Sequence, residues 1–416
     1  MNLVRRGGVA HRTASARPMF AYIDCVRGYA VMLVITCHLS YEFRELPYPV
    51  HRLATMGWYG VQLFFLASAL TLLISWHHAT NTGAARVVPF FLRRFFRIAP
   101  AYYAAAWLYY ELAPPVGGFD VTQLIASLGF VNAWSPQLMS TVVDGWNVVP
   151  GGWSIGVEVT FYVVFPLFAA LVTSLRQGII LCGLCLIAGF AANRIAAAIL
   201  VKFYDPVAID NFLYFWFPDQ MIVFALGGVI YFARRWITAA EGTSFAGHLS
   251  RHGNTLAALA LALFFACAYL NLPHWTGLAP PYFPQFIVVS LCLGAFVLAL
   301  SQARSGVFIN PLATALGKVS FSAYLLHFAV IRLTVARYPS AFHADSVGVG
   351  AIVAFAAVWV VVVALTSAVA WGSYRTLELP MMTLGGKLAR FSQGGGVNLQ
   401  VGRLVEAPIT SVTTKQ

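Results

Sequence analysis

Arg27 and His38 stand eleven residues apart in the run Asp24 to Glu42, an apolar stretch of helical length that still carries an arginine, a histidine and a carboxylate. At 100° per residue, eleven steps turn about 1100°, three circles plus roughly 20°, so both side chains leave one helix face about 16 Å apart. A guanidinium is permanently cationic and binds anions; an imidazole changes charge near neutral pH and can take a proton. A histidine in such a run is also commonly a core residue satisfied by its neighbours. The run alone supports either reading. Glu42 lies at i+4 from His38, a spacing from which a carboxylate fixes an imidazole tautomer and stabilises the imidazolium.

Three further groups carry chemistry. Leu92-Arg93-Arg94-Phe95-Phe96-Arg97-Ile98-Ala99-Pro100 sets Arg93 and Arg97 four apart on one face, with Arg94 beside them. That is a reach suited to phosphate, and equally an interfacial anchor. Glu158, in Trp153-Ser154-Ile155-Gly156-Val157-Glu158, is a carboxylate near the start of an apolar run. There it needs a partner such as Arg27 or Arg194, or has a functional role. His327 closes Ser320-Phe321-Ser322-Ala323-Tyr324-Leu325-Leu326-His327 and reads first as a hydrogen bond to a neighbouring helix, second as another base. No metal site is expected: His77-His78 and His248/His252 lack acidic or thiol partners, and Cys182-Gly-Leu-Cys185 reads as two small buried residues.

These groups must be held by membrane helices. Of 416 residues 60% are hydrophobic and only 10% charged, against about 25% charged in soluble proteins. Apolar runs fall near 20–42, 58–79, 99–114, 153–174, 178–201, 218–233, 255–272, 285–301, 316–336 and 347–371. Their lengths suit helices and not the ten-residue alternating strands of a barrel. The fold class expected is therefore all-α, a polytopic bundle of about ten transmembrane helices embedded in the lipid bilayer. Its divisions are a basic cytoplasmic leader over 1–18, one transmembrane domain over 19–381 and a disordered cytoplasmic tail over 382–416.

The net charge of +12 reports topology. Four Lys/Arg residues fall on one side (Arg44, Arg52, Lys202, Arg337), three lie within runs (Arg27, Arg194, Arg332), and the other 19 of 26 share the opposite side. By the positive-inside rule that side is cytoplasmic and holds both termini; no nucleic-acid partner is implied. The first run lacks a small-residue cleavage site, so it reads as a retained helix, and the six cysteines all sit in apolar runs, giving no disulfide framework.

Taken in order, Asp24-x-x-Arg27-Gly28 with His38, Gly60-Val61-x-x-Phe64-Phe65, Arg93-Arg94-x-x-Arg97-Ile98-x-Pro100-x-Tyr102, Trp153-Ser154 with Glu158 and Phe161-Tyr162, Ser320-x-Ser322-x-Tyr324-Leu325-x-His327 and Glu378-x-Pro380 resemble the acyltransferase-3 family of membrane O-acyltransferases. The resemblance spans about residues 20–381. It implies transfer of an acyl group, commonly acetyl from acetyl-CoA, to a hydroxyl of a carbohydrate or glycolipid acceptor. It also makes the Arg27/His38 pair essential and assigns the arginine-rich motif to Arg93, Arg94 and Arg97. Two departures stand out. Ser68-Ala69-Leu70 replaces the family's Ser-Gly-Phe, which puts close helix packing there in doubt, and Glu158-Val159-Thr160-Phe161-Tyr162 leaves Glu158 as the only carboxylate of its motif. A standalone membrane domain is expected, without the esterase-like domain that some members carry.

The chemistry agrees on its own terms. A hydroxyl attacks a thioester poorly until a base takes its proton, and a neutral imidazole doing so contributes about 10²–10⁴ in rate. Sequence therefore points to an acyl-CoA-dependent O-acyltransferase with His38 as general base, Arg27, Glu42 and Glu158 at the catalytic centre and Arg93, Arg94 and Arg97 on the donor. An acylated His38 is the variant mechanism. The competitor is a proton-coupled transporter or flippase built on the same ionisable residues, although it has no need of a phosphate clamp. Trp134, Trp146, Tyr204 and Trp216, in the loops 115–152 and 202–217, are placed to stack on sugars or to anchor at the lipid interface. A bacterial inner membrane suits a chain without an organelle signal.

Overall fold

A computed structural model describes residues 21–79, 83–115, 118, 120–139, 146–240, 243–270, 284–303 and 306–392. The expected leader over 1–18 and the stretch 393–416 of the expected tail lie outside them. The described chain is all-α, with no strand among its residues. Its helices are α1 (Ala21–Ser40), α2 (Tyr48–Thr55), α3 (Gly60–His77), α4 (Val87–Leu112), α5 (Val121–Leu128), α6 (Gly152–Leu171), α7 (Leu175–Leu200) and α8 (Pro206–Phe215). They continue as α9 (Phe217–Ala239), α10 (Ser244–Ala266), α11 (Gln285–Gln302), α12 (Pro311–Lys318), α13 (Ser320–Leu333), α14 (Gly348–Ser373) and α15 (Leu379–Phe391).

Among the described residues, eight helical stretches are long and apolar enough to cross a membrane, nine if α12 and α13, bent by 83°, count as one broken span. The shortfall from ten is the run 99–114, which is the second half of α4. That helix has 26 residues, about 39 Å, but too many arginines and tyrosines to pass as apolar, because one of its faces lines the site described below. Residues 382–391 of the expected tail are helical. A single π-helical turn, Tyr374–Glu378, joins α14 to α15, and the helix runs to Phe391. Pro380 lacks an amide donor, yet in the first turn after the π-turn the regular ladder is already interrupted, so the helix continues through it.

The first helix is the core of the bundle. Cys25, Ala30, Val31, Ile35, Cys37 and Leu39 are fully buried between α3, α12 and α13. Such closeness needs small residues, since lipid-embedded helices associate through van der Waals contact and not through a hydrophobic drive. A β-carbon at Gly28 or Gly317 would collide with the backbone carbonyl of Ala313 or Asp24, so no other residue lets α1 and α12 touch. The close packing doubted at Ala69 is present: a β-carbon at Gly227 of α9 would lie 2.6 Å from that of Ala69, so the partner helix supplies the missing space. By contrast only 11% of the most apolar stretch of α7 is buried, and Cys182 and Cys185, both free, lie on that helix.

Candidate active site

Two cavities meet at α13. The first, about 590 Å³, is lined by Arg27 of α1, Ser68 of α3, Arg94 and Arg97 of α4, Ser154, Glu158 and Tyr162 of α6, and Ser320 and Tyr324 of α13. Arg27 donates to Thr71 Oγ1 at 2.8 Å and stands 4.0 Å from Asp24. Glu158 accepts from the Ser68 hydroxyl and from Tyr162 Oη, the latter at 2.6 Å. Arg94 lies over the rings of Phe90 and Tyr162, its Nε buried without a partner. Among the described residues neither Arg94 nor Arg97 donates a hydrogen bond to protein. The break before α13 also aims the amino end of that helix at the cavity through Ser320 and Phe321, adding partial positive charge to three guanidinium groups. This chamber is built to take an anion.

The second cavity, about 2190 Å³, holds His38, Tyr41 and Glu42 with Tyr109, Trp146, Asn147, Phe328, Arg332 and Arg337. His38 Nδ1 lies 3.1 Å from Nε2 of His327, a fully buried residue whose Nδ1 is 2.6 Å from the Tyr324 carbonyl. Phe328 packs against both rings at 4.2 Å between centroids.

Tyr324 lines the first cavity and its carbonyl meets His327, its hydroxyl 2.8 Å from Ser154 Oγ and donating to the Gly151 carbonyl at 3.0 Å. Gly151 opens α6 at φ +76°, a left-handed conformation that favours glycine, and this turn presents its carbonyl to Tyr324.

The sequence-derived residues are thus divided. Arg27, Arg94, Arg97 and Glu158 share the first cavity, and His38 and Glu42 the second. Arg93, expected to act with Arg97, does not line the cavity; Arg94 does, because i+3 and i+4 neighbours are nearly equivalent on a helix and packing selected the i+3 pair. Glu158 is partnered by hydroxyls, and Arg194 does not line its cavity. Glu42 is not the partner of His38: α1 ends at Ser40, whose hydroxyl turns back to the Cys37 carbonyl at 2.7 Å, so the i+4 relation lapses. Burial raises the Glu42 carboxyl above its ordinary range, with Arg44 partly offsetting this. His327 makes the hydrogen bond to a neighbouring helix that its sequence suggests, with His38 of α1, whereas nothing local in the sequence singles out that partner, or Ser68 and Thr71, because contacts between residues as far as 289 apart leave no local pattern.

The acyltransferase-3 family, described as an acyltransferase domain, matches residues 20–375. The acyltransferase MdmB of Streptomyces mycarofaciens is 27% identical over 74% of this chain and 78% of its own length. The O-acetyltransferase OatA of Staphylococcus aureus is 24% identical over 89% of this chain, which spans only 58% of that relative. No solved structure matches. With the family spanning most of the helical core and the arginine and histidine chambers at its centre, the chain belongs to the acyltransferase-3 family and is a membrane-embedded acyltransferase.

Proposed function

We propose that the chain is an acyl-CoA-dependent O-acyltransferase that moves an acyl group, acetyl first among them, to a hydroxyl of a carbohydrate or glycolipid acceptor. The observation that carries this reading is the pair of chambers along α13, an arginine-lined one reached by Ser320, Phe321 and Tyr324 and a histidine-lined one reached by Phe328, Ile331 and Arg332. A thioester donor offers anionic phosphates at one end and a reactive carbonyl at the other. Arg94 and Arg97 hold the phosphates from the cytoplasmic side, Arg27 faces them at the inner end of α1, and Glu158, fixed by Ser68 and Tyr162, spaces the guanidinium groups. His38 takes the proton of the acceptor hydroxyl in the larger, outer chamber, where Trp146 offers a ring face to a sugar. Both termini are cytoplasmic, in a bacterial inner membrane. The named O-acetyltransferase relative supports acetyl as the group moved.

The test uses the full chain in lipid nanodiscs with radiolabelled acetyl-CoA, and extracts of surface glycans and secreted small molecules from cells with and without the protein. Label should enter an alkali-labile ester in the cells' own acceptor and disappear with His38→Ala. Transfer at the wild-type rate by His38→Ala sinks the base assignment. CoA binding unchanged in Arg97→Ala removes the phosphate clamp, and with it the argument against a transporter.

A further inference from the structure

We propose that His327 is the positioning residue that fixes the tautomer of His38 and so makes Nε2 of His38 the base. The inference rests on the reading of His38 as general base and follows from which atoms can donate. The Tyr324 carbonyl only accepts, so the 2.6 Å contact places a hydrogen on Nδ1 of His327. A neutral imidazole carries one such hydrogen, which leaves Nε2 of His327 as an acceptor. That atom lies 3.1 Å from Nδ1 of His38, which must therefore be the donor. Neutral His38 is then bare at Nε2. Its ring lines the large outer cavity, and among the described residues no other side chain hydrogen-bonds it.

The arrangement is rigid where it needs to be. His327 is 0% exposed, between Phe328 at 4.2 Å and Tyr324 at 5.7 Å by ring centroids, so its Nε2 cannot swing away. As the acceptor oxygen attacks the thioester carbon, the O–H bond breaks and Nε2 of His38 takes the proton. The C–S bond then breaks, and the same nitrogen returns the proton to the leaving sulfur, giving ester and thiol from hydroxyl and thioester. Through both steps Nδ1–H of His38 keeps donating to His327, which spreads the transient positive charge over two rings and onto the Tyr324 carbonyl. An aspartate does this work in a serine hydrolase triad; here a neutral ring does it, and no buried carboxylate is required.

The test reads the tautomer directly. The full chain, labelled with ¹⁵N-histidine and held in lipid bilayers at pH 8, is examined by magic-angle-spinning NMR, with the His38 signals assigned by their loss in His38→Gln. Wild type should show protonated Nδ1 and bare Nε2 on His38. His327→Gln, whose side-chain oxygen still accepts, should keep that pattern, and His327→Leu should revert toward the Nε2–H form that free imidazole prefers. A kinetic arm follows thiol release from acetyl-CoA with water as the hydroxyl. His327→Leu should lower kcat about 100-fold with KM for acetyl-CoA within about twofold, and His327→Gln should recover about tenfold of that loss. Protonated Nε2 on wild-type His38, or equal rates in the Leu and Gln variants, overturns the proposal. If His327→Leu does not fold, the wild-type tautomer alone decides. Full turnover by His38→Ala would instead refute the parent reading, whereas a dead His38→Ala beside a fully active His327→Leu refutes only the role of His327.

Discussion

The two chambers differ in how their polar groups are held. The arginine chamber is small, and its carboxylate is fastened by Ser68 and Tyr162 while two of its arginines have donors to spare. The histidine chamber has nearly four times the volume, yet its working group is pinned by a single partner that is itself fully buried. Spare donors in a tight space suit one fixed anionic ligand, because charge-assisted hydrogen bonds are strong where water is scarce. A pinned base in a roomy space suits acceptors of varied shape, since only one hydroxyl must reach it. On the proposed function, donor recognition and acceptor tolerance fall to different walls.

This contrast can be broken at either wall. The largest effect is expected at His38: replacement by alanine should cost about 10³-fold in acyl transfer while leaving the Kd for CoA unchanged by calorimetry. The reverse pattern belongs to Arg97→Ala, which should raise the Kd for CoA by about 10- to 100-fold, the worth of one or two charge-assisted hydrogen bonds. Arg93→Ala should shift it less than about threefold, and an equal loss in both would erase the distinction drawn between faces of α4. Tyr324→Phe removes a hydroxyl that ties α13 to the start of α6; thiol release without acceptor should rise roughly threefold as water enters the loosened site more freely.

The smallest effect is at Glu42. Its folded carboxyl titrates higher than its unfolded one, so the stability it contributes is present below about pH 4.5 and is lost as pH rises through the folded value. Glu42→Gln should therefore match wild type near pH 4 and melt higher at pH 7 by on the order of 1 °C, with activity nearly unchanged. A large loss of activity would return Glu42 to the side of His38.

Much of this site could be read from sequence because it depends on spacing within single helices. Arg27 and His38 do share α1, and the arginine motif does open one face of α4 to a cavity. What escaped depends on how helices rotate and where they stop. Nothing in Arg93-Arg94-x-x-Arg97 says whether the i+3 or the i+4 pair turns inward; that is decided by the aromatic contacts of Arg94 with Phe90 and Tyr162. Apolar composition carried α1 on to Glu42, whereas the structure ends it at Ser40. The pairing of His38 with His327 joins the first helix to the thirteenth, and no periodicity within either helix encodes it.

The contact between Ala69 and Gly227 carries a consequence for the family at large. Clearance between two helices belongs to the pair, and either partner can provide it. A relative with glycine at the position of Ala69 is released from needing one at that of Gly227, so the two sites should trade side-chain volume across sequences. Introducing Ala69→Gly into this chain should then make Gly227→Ala better tolerated, with the Leu66 carbonyl 3.2 Å away left to adjust, whereas Gly227→Ala alone should lower the yield of folded protein.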